Sequence, residues 1–378
     1  GVQLPGMLYA SGLQGLQRLR LLAIIRIIWT PLYYGGGVVA MILIERNVLV
    51  LFAWQSMAFI ALAVSLRVFL HKTMPPLPVG IKVPAMALPR IWQLGAGAAM
   101  LGLSASIVGQ IDKIFVAALA SPMQFAAYGL AFTVALQAMS AIMNAFGSAM
   151  LPHFARLLKA DEGNAGDEAL CLAYHRWSQI IAFVSIIGMG VLFLWSPLLI
   201  DFWIGSTSPL SSDIKRLLPV VIVAMLFGAL VTAPFMLLVA ANRLGPVIGV
   251  NVAGIALALI VLPFALREWG PMAGSFFSLA MMMAYGLVVV PLLHLHLLKG
   301  SLWRWLLRDF ALPLCIGFTV FSVSIVLLPD VPSIARQLVH GMLTAIVAAI
   351  ALAAALPDGR GQLHDSFRYF MARRQTTM

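Results

Sequence analysis

Apolar residues run through this chain in blocks too long for a water-soluble fold. A helix needs about 20 mostly apolar residues to cross a bilayer. Ten stretches meet that length: 21–44, 48–70, 90–119, 124–151, 177–203, 214–240, 244–266, 271–298, 305–328 and 333–356. Polar or turn-forming breaks separate them, among them Glu45-Arg46-Asn47, the segment from His71 to Arg90, Ser121-Pro122, Asn242-Arg243 and Pro329-Asp330. The pattern predicts an all-α polytopic membrane protein with about ten transmembrane helices. The stretch 90–119 reads as one long helix whose last third, around Gln110-Ile111-Asp112-Lys113, emerges beside a tight uncharged hairpin at 120–123. Residues 152–176 begin with Pro152 and set Phe154, Leu157 and Leu158 near Arg156 and Lys159. That predicts an amphipathic helix on the cytoplasmic surface.

Composition agrees with lipid as the solvent. Of 378 residues 62% are hydrophobic and 10% charged, and the mean hydropathy is +1.00. A soluble chain carries roughly 25% charged residues because it must cover its core. A soluble enzyme, a disordered chain and a disulfide scaffold are excluded together. Cys171 and Cys315 lie in apolar stretches with no second ligand at metal spacing. The net charge of +11 reads as the basic excess of cytoplasmic loops rather than as a nucleic-acid footprint. Seventeen Lys and Arg fall in one set of alternate loops and termini, from Arg18 and Arg20 to Arg373 and Arg374. The opposite set holds five: Arg46, Lys215, Arg216, Arg267 and Arg336. This asymmetry predicts both termini of the chain on the cytoplasmic side.

Catalytic motifs do not emerge. The chain has no Gly-x-Ser-x-Gly elbow, no His-Glu-x-x-His, no Gly-x-x-x-x-Gly-Lys and no Asp-x-Asp pair. Gly95-x-Gly97 falls inside a span and continues through Ala98, Gly102 and Ser106 as a stripe of small residues, which lets helices approach closely. His71, His153, His175, His294 and His296 sit at the inner ends of spans, where a snorkelling ring is expected. No enzyme activity, metal site or cofactor is expected.

The informative residues are polar ones inside apolar spans. Arg26 interrupts Leu-Leu-Ala-Ile-Ile-Arg-Ile-Ile-Trp, and facing hydrocarbon would cost it about 2.5–3.5 kcal/mol on insertion scales, so a bundle interior or water cavity is its expected surroundings. Asp112, with Gln110 and Lys113, forms an ionisable cluster, and Asn251 and Gln137 give weaker versions of the same signal. Helix breakers at Pro31, Gly35-Gly36-Gly37, Pro197, Pro219, Pro234, Pro263, Pro291 and Pro313 fit a protein that rocks between states. A faint repeat sets Gly15-Leu16-Gln17-Arg18-Leu19 against Ala240-Ala241-Asn242-Arg243-Leu244 and places Arg26 opposite Asn251, an internal symmetry of the kind secondary transporters carry.

These residues also carry a resemblance. The run Ser106-Ile107-Val108-Gly109-Gln110-Ile111-Asp112-Lys113, its short loop, and Tyr128-Gly129 in the next helix resemble the seventh helix and hairpin of Wzx-type polysaccharide flippases. Leu8-Tyr9 through Gln17-Arg18 is similar to that family's entry into its fifth helix, and Leu151-Pro152-His153-Phe154-Ala155 to the loop after its eighth. The resemblance implies the two-lobed fold of the multidrug/oligosaccharidyl-lipid/polysaccharide exporters. Residues 1–89 would supply the last two helices of the first lobe, 90–298 a six-helix second lobe, and 299–378 two further helices and a cytoplasmic tail. The first four helices, roughly 110–135 residues by the repeat offset, would precede Gly1.

The implied activity is translocation of an undecaprenyl-diphosphate-linked oligosaccharide across the bacterial inner membrane, for O-antigen, capsule or exopolysaccharide. Membrane lipids and a polysaccharide polymerase are the implied partners, and nucleic acid is not. The implied substrate-binding set is Arg26, Gln110, Asp112, Lys113 and Asn251. Arg26 would take the diphosphate through its guanidinium fork. Asp112 and Gln110 are candidates for sugar hydroxyls or for coupling to a proton or sodium gradient. The competing readings are a drug or lipid II exporter of the same superfamily, and a membrane-embedded glycan polymerase, ligase or acyltransferase. Against the last, the outer loops are short and hold no histidine.

Overall fold

The computed structural model describes residues 18–74, 87–160, 164–327 and 334–356, with positions 6, 9, 10, 12, 13 and 16. Eleven helices cover nearly all of them: α1 Leu19–Leu43, α2 Val48–Thr73, α3 Ala87–Leu119, α4 Pro122–Ala160, α5 Asn164–Ile204, α6 Pro209–Leu230, α7 Thr232–Ala240 and α8 Gly245–Trp269, then α9 Met272–His296, α10 Leu302–Val326 and α11 Ile334–Ala355. Among the described residues nine helices are long and apolar enough to cross a membrane, and the pair α6 and α7, bent by 41°, makes a tenth. Each of the ten apolar stretches of the sequence therefore falls on one spanning element.

Local chemistry sets the boundaries. Asn47 caps α2 by accepting from the Leu49 amide at 3.0 Å. Ser121 and Gln124 cap α4 reciprocally: the Ser121 amide donates to Gln124 Oε1 and the Gln124 amide to Ser121 Oγ, at 3.0 and 3.3 Å. The hairpin expected at 120–123 is this cap.

The amphipathic surface helix expected over 152–176 does not exist. α4 continues through Pro152 to Ala160 and α5 begins at Asn164. Phe154, Leu170 and Tyr174 are buried in the main core rather than laid on a surface. At about 1.5 Å per residue these helices of 39 and 41 residues reach roughly 60 Å, twice the hydrocarbon thickness. Packing against each other and against α6 lets them run past the membrane.

Three prolines explain three discontinuities. A helical proline cannot donate to the carbonyl four residues earlier and its ring crowds that carbonyl. The carbonyl facing Pro234 is that of Leu230, where α6 ends and the 41° bend occurs. Pro291 faces Leu287, inside a wide turn at Tyr285–Val289 in α9. Pro313 faces Asp309, inside a second wide turn at Trp305–Ala311 in α10. Each wide turn absorbs its proline by a local i→i+5 repeat. Pro31, Pro152, Pro197 and Pro263 are accommodated within helices that continue past them.

The chain forms two compact units, Gly1–Leu88 and Pro89–Met378. In the first, Leu13, Leu22 and Leu66 form a small core. Gly35-Gly36-Gly37 does not break α1; a Cβ at Gly36 or Gly37 would overlap Trp54 or Leu51, so these glycines let α1 and α2 approach closely. Trp54 and Trp29 donate their indole N–H groups to Leu32 O and Ala58 O at 2.9 and 3.0 Å. In the second unit, α4, α5 and α6 carry the main core. Glycine again fixes the last two helices: Gly317 and Gly190 let α10 lie against α5 through Ile186 and Phe321, and Gly341 seats α11 on Trp195. Outward apolar residues such as Phe202, Leu287 and Phe318 are 88%, 72% and 74% exposed, the polarity expected of a lipid-facing surface.

Candidate functional site

α3 turns one polar stripe inward. Ser104, Val108 and Asp112 repeat every four residues, so they share a face, and all three are buried. Its small-residue stripe belongs to the same helix, and Gly102 opens onto a cavity described below. Asp112, 2% exposed, is held by donors from three helices. Tyr128 of α4 donates its hydroxyl to Oδ2, Ser278 of α9 donates to the same oxygen at 3.2 Å, and Lys113 donates to Oδ1 at 3.3 Å. Lys113 also donates to Gly109 O at 2.7 Å and lies 3.4 Å above the Phe132 ring, a cation–π contact. The carboxylate is thus neutralised and hydrogen-bonded, the two conditions for carrying a charge inside a bundle. The helix end expected to emerge is instead packed inward at Asp112.

Two turns along α3, roughly 12 Å by helix rise, Ser104 begins a second network. Asn251 of α8, fully buried, donates Nδ2 to Ser104 Oγ at 2.9 Å and accepts the Tyr285 hydroxyl of α9 on Oδ1. Ser104 passes its own hydroxyl to Leu101 O at 3.1 Å. A chain of three hydrogen bonds thereby ties α9, α8 and α3 together.

Asn251 and Tyr285 form the polar end of a cavity of about 440 Å³ whose other walls include Leu101, Met139, Thr232, Phe235 and Met282. Its placement follows from the prolines. The α6–α7 bend contributes Val231, Thr232 and Pro234, and the wide turn of α9 contributes Tyr285 and Val289. Broken helices in membranes are tolerated where they line a cavity, and discontinuous helices are where secondary transporters bind their cargo. A second, almost wholly apolar cavity of about 550 Å³ lies between α5, α6 and α10, against Met189, Phe193, Leu226, Phe227 and Phe318.

The sequence-derived set divides. Asp112 and Lys113 form one network and Asn251 its neighbour. Gln110 is exposed, two residues from Asp112 and therefore on another face of α3. Gln137 is exposed on α4. Arg26 belongs to the other compact unit, where its side chain is exposed on α1 between Ile24 and Ile27. Tyr128, Ser278, Ser104 and Tyr285 lie outside the sequence-derived set. Tyr128 belongs to the family-like run, but hydroxyls in apolar spans are too common to mark a partner. His175 and His294, expected to snorkel, are 0% and 2% exposed: packing of α9 and α10 on α5 encloses them.

A family described as polysaccharide biosynthesis protein matches residues 18–208. No curated protein matches the sequence. Among solved structures, the fold is similar to that of the lipid II flippase MurJ in an inward closed conformation, with a TM-score of 0.64 and 14% identity over 92% of this chain and 70% of that one. At that identity the likeness is one of fold.

Proposed function

The chain belongs to the polysaccharide biosynthesis protein family, and from that premise we propose that it is a flippase for a lipid-linked oligosaccharide. Family membership combined with the fold of a lipid II flippase is the observation that carries this reading. The cargo is an undecaprenyl-diphosphate-linked glycan, moved from the cytoplasmic to the periplasmic leaflet of the bacterial inner membrane, with both termini of this chain cytoplasmic. Such a cargo has an anionic diphosphate, a polar glycan and a polyprenyl tail. The three parts need a cation, a set of hydroxyl-reading groups and an apolar groove.

Arg26 is the cation for the diphosphate. Its exposed guanidinium is free of partners among the described residues and offers two parallel N–H donors to phosphate oxygens. Asn251 and Tyr285 line the first cavity, and exchanging their mutual hydrogen bond for bonds to sugar hydroxyls is their role in this reading, with Gln110 a further candidate. The apolar cavity beside α10 accommodates a segment of the tail. Asp112, with Lys113, Tyr128 and Ser278, supplies an ionisable group whose donors can be exchanged for a proton or a sodium ion, coupling movement to a gradient. A polysaccharide polymerase takes the product on the far side.

Lipid II is the second reading, favoured by the fold likeness alone. The deciding experiment is expression in a strain whose own flippase is deleted. Restored surface polysaccharide, with clearance of the glycan stranded on the cytoplasmic leaflet, supports the lead reading. Rescue of a lipid II flippase deletion instead would replace it. Arg26→Ala is expected to lower flipping several-fold at unchanged membrane abundance. Parallel loss of both would make Arg26 a folding residue.

A further inference from the structure

Within residues 89–378 a second buried polar cluster lies far from the Asp112 network in sequence and unused by the reading above. α5 presents Tyr174, His175, Ser178 and Gln179 along one face, each at most 3% exposed. The wide turn of α10 sets Asp309, 2% exposed, against them, and the end of α9 brings His294. His175 Nδ1 pairs with Asp309 Oδ2, and Gln179 Nε2 donates to Oδ1 at 2.8 Å. His294 Nδ1 bonds to Val290 O at 2.8 Å. A carbonyl can only accept, so this nitrogen carries the proton and Nε2 of the neutral ring keeps a lone pair. The Tyr174 ring centroid lies 5.4 Å from each of the two imidazoles, and the Trp305 ring is tilted against His294 at 6.1 Å.

Six polar atoms of this cluster have no hydrogen-bond partner among the described residues: Tyr174 Oη, His175 Nε2, Ser178 Oγ, Gln179 Oε1, His294 Nε2 and Trp305 Nε1. Buried polar atoms are almost always bonded, and so many unpartnered atoms within one cluster call for a bound donor and acceptor. Of these, Gln179 Oε1 and His294 Nε2 accept, and Trp305 Nε1 only donates. Water meets both demands, since it gives two bonds and takes two.

We propose that His175, Gln179, His294 and Trp305 bind internal water that joins the two imidazoles into a proton relay inside the helix bundle. A proton on His175 Nε2 passes to the water oxygen while one of the water's own protons passes to His294 Nε2. Both Nδ1 sites keep their protons, Asp309 holds the His175 ring in place, and the charge moves from one ring to the other. The remaining ionisable neighbours are Cys171 on α5, the half-buried Arg308 on the turn beside Asp309, and the exposed Arg176 and Arg304. His153 on α4 is engaged by Trp177 at 3.0 Å. The proposal does not depend on which cargo the chain moves.

X-ray radiolytic hydroxyl labelling of the full chain in lipid nanodiscs, with rapid mixing into H2(18)O, tests it. Hydroxyl radicals form at bound water, so Tyr174 and Trp305 are expected to be labelled several-fold faster than Phe154, which is equally buried in apolar packing. The label is expected to carry oxygen from before mixing, as slowly exchanging water requires. His294→Phe is expected to lower labelling of Trp305 to the Phe154 level while Phe154 itself is unchanged. Tyr174 and Trp305 labelled no faster than Phe154 in the wild-type chain would overturn the proposal, as would label drawn wholly from the bulk solvent.

Discussion

Tyr128, Ser278 and Lys113 converge on one carboxylate, so the two simplest replacements of Asp112 should separate charge from hydrogen bonding. Asp112→Ala strands a half-buried ammonium and two buried hydroxyls and is expected to cost about 3 kcal/mol. Asp112→Asn keeps an acceptor for Tyr128 and should cost about 1–2 kcal/mol. Thermal unfolding of the purified chain in detergent ranks the two, and equal losses would mean that the charge, which both variants remove, and not the acceptor, carries the contribution. Tyr285→Phe leaves Asn251 Oδ1 without its donor inside the cavity, for an expected loss of about 1 kcal/mol. The sequence marked Asp112 and Asn251 because polar groups are rare in apolar spans. Asp309 carries the same mark, but its partner His175 is 134 residues away, and no spacing rule pairs them.

At the scale of elements, helix length was legible and helix continuity was not. Apolar run length found each span, because hydrocarbon thickness fixes it. The prolines marked where a backbone bond must be lost, while the response differed: a bend near Pro234, wide turns near Pro291 and Pro313, and no break at Pro152. Pro313→Ala restores an amide opposite the Asp309 carbonyl, and is expected to close the turn at 305–311 and slow hydrogen exchange across it. Unchanged exchange would mean that packing, not the proline, holds the wide turn. The glycines misled more. Gly35-Gly36-Gly37 reads as a breaker, but in lipid the absence of a side chain buys close approach, here to Trp54. Gly341→Val would drive α11 off Trp195, with an expected cost of about 1–3 kcal/mol from overpacking. A lowered unfolding midpoint, unaccompanied by loss of helical circular dichroism at low temperature, is the expected signature.

For the whole molecule, the solvent, the span count and the family could be read from the chain alone. Those follow from apolar length, from the scarcity of charge, and from a run of residues around Asp112 that resembles a known family. Tertiary structure alone decided which polar residues meet. Gln110 and Asp112 are neighbours in the chain but face different ways on α3, because successive side chains turn by about 100°. Ser104 and Asn251, or His175 and Asp309, are distant in the chain but in contact, because helix crossings fixed by glycine and proline bring their faces together. A one-dimensional pattern records how apolar each helix is. The buried polar networks depend on the rotation of each helix about its axis and on its partner, and those are set only when the bundle packs.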